Sequence, residues 1–176
     1  MSNLKPHSGK PNEAFFMELI TAEKFLIEEA PLHLDKLTSK HSALWGKMTA
    51  QHMVEHLIVT FKMSIGRIII PPVTKEEDWP RTKAYLMKDS PMRRNVPSPA
   101  GDDNLQPLRL PDLESAKAKL LQERDFFLNM MRAQPDFIAN HPYGGPMNLE
   151  EWLQFHRKHF KHHFIQFGLI PDYEQG

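Results

Sequence analysis

The chain has 176 residues, 25% charged and 40% hydrophobic, a profile that supplies one packed core and excludes a disordered chain. Lys plus Arg and Asp plus Glu both number 22, so the net charge is zero, which argues against a coat for nucleic acid or an anionic membrane. With no cysteine there are no disulfides, thiolate metal sites or cysteine nucleophiles, and any thiol chemistry needs a thiol brought by a substrate.

Residues 1–11 read as a flexible lead-in rich in Pro, Gly, Ser and Lys. They lack the apolar core of a signal peptide, and no apolar run is long enough to span a bilayer, so the expected location is the cytoplasm. A single domain is expected over residues 12–170, followed by a short tail, 171–176. Its first helix is predicted over Glu13 to Ala30, capped by Asn12, with Phe15, Phe16, Leu19, Ile20, Leu26 and Ile27 at helical spacing and Pro31 as its end. The second runs from Ala50 to about Ile65, capped by Thr49, with Met48 and Met53 spaced for a hydrophobic staple and Gly66 as its stop.

Residues 67–111 show no sustained periodicity and hold eight of the fifteen prolines, with one short helix predicted around Trp79 to Met87. A connection of this length inside a domain reads as a crossover and a lid. It lets the helices it joins run parallel, which a short loop could not. The third helix spans about Leu113 to Arg132, capped by Asp112. The turn-rich HPYGGPMN segment leads to the fourth, Leu149 to Phe167, where Asn148 and Glu151 form a capping-box pattern and Gly168 and Pro171 close the helix.

Ten histidines are the unusual feature, and four of them (His156, His159, His162 and His163) fall within one stretch of eight residues. On a helical wheel, Leu149, Trp152, Leu153, Phe160, Phe164 and Phe167 share a face. His156 and His163 lie inside that face, His159 at its edge and His162 outside it, at the surface. Arg157, Lys158 and Lys161 fall opposite and read as a solvated face. Buried imidazoles need partners. His159 and His163, four apart, have Cβ atoms about 5–6 Å apart on one face, a spacing that suits two ligands of one ion. The second helix offers a further pair, His52 and His56. His56 is the better inner ligand if helices two and four run antiparallel, while His52 sits near the cap.

Three segments resemble the DinB-like metal-binding superfamily: WGKMTAQHMVEHL (Trp45 to Leu57), HPYGGPMNLEEW (His141 to Trp152) and HFKHHFIQFG (His159 to Gly168), with H-x-x-H-H-x-x-Q as the most specific mark. The resemblance, to an uncharacterised subgroup, implies an all-α, up-down-down-up four-helix bundle with a long crossover between helices 2 and 3. It also implies three metal ligands, which fall by motif on His56, His159 and His163. The family pattern Arg-Gly-Gln after the last ligand is kept here only as Gln166, following Phe164 and Ile165. Relatives by resemblance include thiol S-transferases, an isomerase and proteins labelled metal-dependent hydrolases.

Three neutral imidazoles leave open positions on an ion, the pattern of catalytic zinc sites. All-nitrogen ligation suits zinc, nickel or iron better than manganese. Glu55 and Gln166 are candidates for orienting the ligating rings. His156 reads either as an acid/base group at a pocket rim or as a core residue. Trp45 and Tyr143 read either as pocket lining or as packing under the loops. The expected function is a divalent-metal-dependent enzyme acting on a small molecule, a low-molecular-weight thiol among the candidates, with a non-catalytic metal- or small-molecule-binding module as the alternative. A homodimer is compatible with this reading; a nucleic-acid or membrane partner is not expected.

Overall fold

Glu13 opens a helix that does not stop at Pro31. The computed structural model describes residues 13–96 and 105–173, apart from the side chain of Phe15. The lead-in 1–11, the Asn12 cap, the place of Phe15 in the apolar row, part of the crossover and the end of the tail lie outside the described residues. Helix α1 (Glu13–Lys24) passes through a π-helical turn (Phe25–Glu29) into α2 (Ala30–Lys36). The wider turn carries the chain past the proline: the Ala30 N–H bonds the Phe25 carbonyl, and Pro31 falls in the first turn of α2, where its missing N–H costs nothing.

Helix α3 (Ala50–Ser64) starts where predicted, because the Thr49 hydroxyl accepts the His52 N–H. Residues Glu76–Asp78 form a short turn of 3₁₀-helix and Trp79–Met87 form α4. Helix α5 (Leu113–Ala133) is capped by Asp112, which accepts the Ser115 N–H at 2.7 Å. Helix α6 (Leu149–Gln166) carries the full capping box between Asn148 and Glu151. The molecule is mostly helical, with α3 packed on α5 and α6, and α1 on α6. The core gathers where they meet: Leu26, Leu34, Met53, Leu57, Phe61, Leu120, Phe127, Trp152, Phe160 and Phe164 are all buried.

The mostly helical fold is consistent with the expected all-α class and includes one small sheet. Residues Ile138–His141 (β1) and Gly145–Asn148 (β2) pair antiparallel as a small hairpin, Ile138 opposite Asn148 and His141 opposite Gly145. Its turn is held from inside, since the His141 Nδ1 accepts the N–H groups of Tyr143 at 3.2 Å and Gly144 at 3.1 Å. Gly145 adopts a φ of +67°, and a Cβ there would come within 2.3 Å of the Trp79 ring, so only glycine fits.

The described parts of the segment between α3 and α5 are pinned rather than loose. The Val73 N–H bonds the Pro142 carbonyl, and the Thr74 hydroxyl bonds that of Tyr143. Lys83 reaches the Pro146 carbonyl and the Glu151 carboxylate, and Leu86 is buried. Lys158, expected on a solvated face, is instead buried under α4, where its ammonium donates to the carbonyls of Tyr85 (2.6 Å) and Lys88 (2.8 Å). The wheel fails for Lys158 because α4 covers that side of α6. Among the described residues, no helix is long and apolar enough to cross a membrane.

Candidate metal centre

His159 and His163 stand one turn apart on α6, and His56 reaches them from α3. Their Nε2 atoms converge: His159 lies 3.0 Å from His56 and 2.9 Å from His163, and one ligand nitrogen from each ring lies within 4.8 Å of the others. His159 and His163 are buried, His56 half-buried. Phe155 stacks on His159, with ring centres 5.1 Å apart, and closes one side of the cluster.

The hydrogen-bond network determines where one proton sits. Gln166 donates its Nε2 to the Trp45 carbonyl at 2.8 Å, which turns its Oε1 toward the His163 Nδ1 at 2.7 Å. That oxygen can only accept, so the His163 Nδ1 carries the proton and its Nε2 presents a lone pair to the centre. A neutral imidazole has one N–H and one lone pair. His159 faces two other Nε2 atoms and can donate to only one of them, while its Nδ1 is buried without a hydrogen-bond partner. Protons alone therefore cannot satisfy all the inward nitrogens of this cluster.

The donor set fits a divalent cation. One ion at about 2.0–2.1 Å from each nitrogen would hold tetrahedral ligands about 3.3 Å apart, near the spacing seen here. Burial keeps the rings neutral, as ligation requires. It pushes the His56 imidazole down to about 4, with His162 nearby adding to the effect. The imidazoles of His159 and His163 fall well below their usual range, through burial first and then through their neighbours.

The remaining sequence candidates occupy varied places. Trp45 lies directly over the cluster's outer layer: its carbonyl holds Gln166, and its ring sits edge-on to His162 at 5.6 Å beneath the guanidinium of Arg94. The Leu44 N–H also bonds the Gln166 carbonyl at 2.7 Å, so this loop grips Gln166 at both ends. The carboxylate of Glu55 faces away from the three rings in its bonding: it accepts the backbone N–H groups of Arg109 (2.8 Å) and Leu110 (3.1 Å) and fastens the return of the crossover. His52 bonds Thr49 at 2.7 Å within the α3 cap. Tyr143 sits in the hairpin turn, its backbone engaged by His141 and Thr74.

His156 is fully buried between the rings of Phe61 and Phe127, with its Nε2 at 2.9 Å from the Ser64 hydroxyl. Ser64 donates to the Phe61 carbonyl, so it accepts from His156. Of the two readings open for His156, this is the geometry of a core residue.

Two histidines were missed by pattern. His162, expected at the surface, is half-buried with its ring 5.0 Å from that of His163, and burial together with Arg94 pushes its imidazole down to about 4. His141 is buried inside the hairpin, with a ring pushed down to about 3 by burial. Only the H-H pair at 162–163 hinted at the first; nothing in the spacing marked the second.

A family model of the DinB superfamily matches residues 27–167. The chain belongs to the DinB superfamily. Among curated proteins and among solved structures, none matches the chain. Membership in the DinB superfamily and a buried three-histidine group are together compatible with metal binding, and the group lies within the matched span.

Proposed function

We propose that this chain is a divalent-metal-dependent enzyme of the hydrolase or thiol S-transferase type, with His56, His159 and His163 as the protein ligands and a small molecule as substrate. The observation that carries the reading is the convergence of three Nε2 atoms, one with its lone pair fixed inward by Gln166. An up-down-down-up four-helix bundle is the topology we infer; the pairing of His56 with His159 and of Ser64, at the end of α3, with His156, earlier on α6, supports an antiparallel run of these two helices.

A bound zinc or nickel ion would supply Lewis acidity and depress the pKa of a coordinated water or thiol. The chain's own residues do the positioning. His56, His159 and His163 offer neutral donors, Gln166 holds His163 in one tautomer, and Trp45 holds Gln166. Phe155 keeps water from one flank of His159.

The test is metal content in protein purified without added metal, beside the His159→Ala/His163→Ala variant, followed by a panel of thiol and hydrolysable substrates before and after chelation. Near-stoichiometric metal in the parent, its loss in the variant and activity that follows the metal are expected. A metal-free parent that does not take up zinc or nickel would refute the site. Activity unchanged by chelation would refute its catalytic use. One observation favours a second reading, a non-catalytic metal-binding module: His156 is sealed in the core instead of standing at a pocket rim. That reading expects cobalt-substituted protein to show a filled coordination sphere that added thiol does not perturb.

A further inference from the structure

A second cluster of donors lies on another side of α6. Gln154, Arg157, Lys158 and Lys161 line a cleft whose other wall is Glu18 of α1 and residues 86–89 at the end of α4. The cleft measures about 60 Å³. A site for one water needs about 10–15 Å³, so there is room for several waters or one small anion.

Two of its donors are unspent. The Arg157 Nε and the Gln154 Nε2 are both buried and neither has a hydrogen-bond partner. Buried donors are normally satisfied, and leaving one unmade costs about 1–3 kcal/mol, more when it is charged. Both come from the same helix at i and i+3, so the two side chains lie on one side of α6, the side that lines the cleft.

The charges point the same way. Arg157 meets Asp89 only at 4.0 Å, the outer limit of an ion pair, and Asp89 is 66% exposed at the rim. Glu18 is likewise exposed, and with Lys88, Arg157, Lys158 and Lys161 against Glu18 and Asp89 the lining carries more cations than carboxylates. The Lys158 ammonium adds charge but no free donor, since Tyr85, Lys88 and Ser90 occupy it.

We propose that this cleft is an anion site, separate from the three-histidine cluster, in which Arg157, Gln154 and Lys161 hold one small oxyanion, a carboxylate or a phosphate. The Arg157 guanidinium and the Gln154 amide supply the directed donors. Lys161 supplies charge from one turn further along α6.

The experiment is a titration of the full chain with inorganic phosphate and, separately, with acetate and succinate at matched ionic strength. It is read by NMR on the Arg157 Nε–H and the Gln154 side-chain amide. Saturable shifts of both signals are expected, at millimolar or lower concentration. Arg157→Met should weaken binding by at least tenfold and Gln154→Leu severalfold, with helix content unchanged by circular dichroism. Arg157→Lys, which keeps charge without the Nε–H, should fall between parent and Arg157→Met. The His159→Ala/His163→Ala variant should bind as the parent does, which separates this site from the metal centre. Phosphate alone, carboxylates alone or both saturating would each support the site and name its ligand. Signals that stay in place with every anion, a cleft filled by water alone, would overturn it, as would equal affinity in Arg157→Met.

Discussion

Replacing Gln166 with leucine isolates the part of the centre that a helical wheel cannot assess. Gln166 Oε1 is the partner of the His163 Nδ1 at 2.7 Å, and His163 is 4% exposed, so water cannot take over the bond. Leucine keeps the apolar bulk and leaves the Nδ1–H without an acceptor. A buried donor left unmatched costs about 1–3 kcal/mol, and metal affinity falls about 10–100-fold when a ligand's orienting partner is lost. The same change frees the Trp45 carbonyl, which Gln166 Nε2 now occupies at 2.8 Å. We expect Gln166→Leu to bind zinc about 10–100-fold more weakly than the parent in competition with a chromophoric chelator, while both unfold cooperatively. Gln166→Glu keeps an acceptor for Nδ1 and should recover most of the affinity. Affinity within twofold of the parent in a folded Gln166→Leu would refute the claim that this glutamine orients the ligand.

Further expectations follow from the same contacts. The histidines at 56, 141, 156, 159, 162 and 163 are all held below their usual range, burial being the first cause for each. The unfolded chain therefore binds more protons, and stability of the metal-free protein should fall as pH drops below about 6.5 and go on falling to about 4 or lower. His56, moved from 6.5 to about 4, accounts for on the order of 3 kcal/mol of that loss, measurable as urea midpoints against pH. Gly145→Ala would place a Cβ 2.3 Å from the Trp79 ring at a φ of +67°, and should lower unfolding free energy by more than about 2 kcal/mol in urea titrations. Glu55→Gln keeps the shape but weakens the acceptor for the Arg109 and Leu110 N–H groups, so hydrogen exchange at those two amides should quicken by about tenfold while α3 remains protected.

Local chemistry was legible wherever the sequence carried its own stop and start signals. Thr49, Asp112 and the Asn148–Glu151 pair cap the helices they were expected to cap, and the short helix expected around Trp79 to Met87 is present. The three histidines that the structure brings together stood out for a related reason: imidazoles at i and i+4 within or beside an apolar stripe are conspicuous. What the pattern missed depends on long-range neighbours. A wheel assigns Lys158 to solvent because it does not include α4, which returns from the crossover to cover that face. His162 reads as exposed until Trp45 and Arg94 close over it. Pro31 reads as a stop because a π-helical turn upstream has no sequence signature of its own. The hairpin at Ile138–Asn148 reads as a turn because its strands are only four residues each and one of its anchors, the ring of Trp79, lies far upstream.

The placement of the three rings has a thermodynamic consequence. Burying imidazoles opposes folding when their nitrogens lack partners, and here the inward Nε2 atoms of His56, His159 and His163 crowd together while the His159 Nδ1 has no hydrogen-bond partner. A sequence under pressure for stability alone would fill that volume with leucine or phenylalanine, as it does at the next residues along, Phe160 and Phe164. The surrounding structure instead reinforces the arrangement: Gln166 fixes one tautomer, and the Leu44–Trp45 loop holds Gln166. A cation would remove the conflict by accepting a lone pair from each ring, and its binding free energy would then add to the stability of the fold.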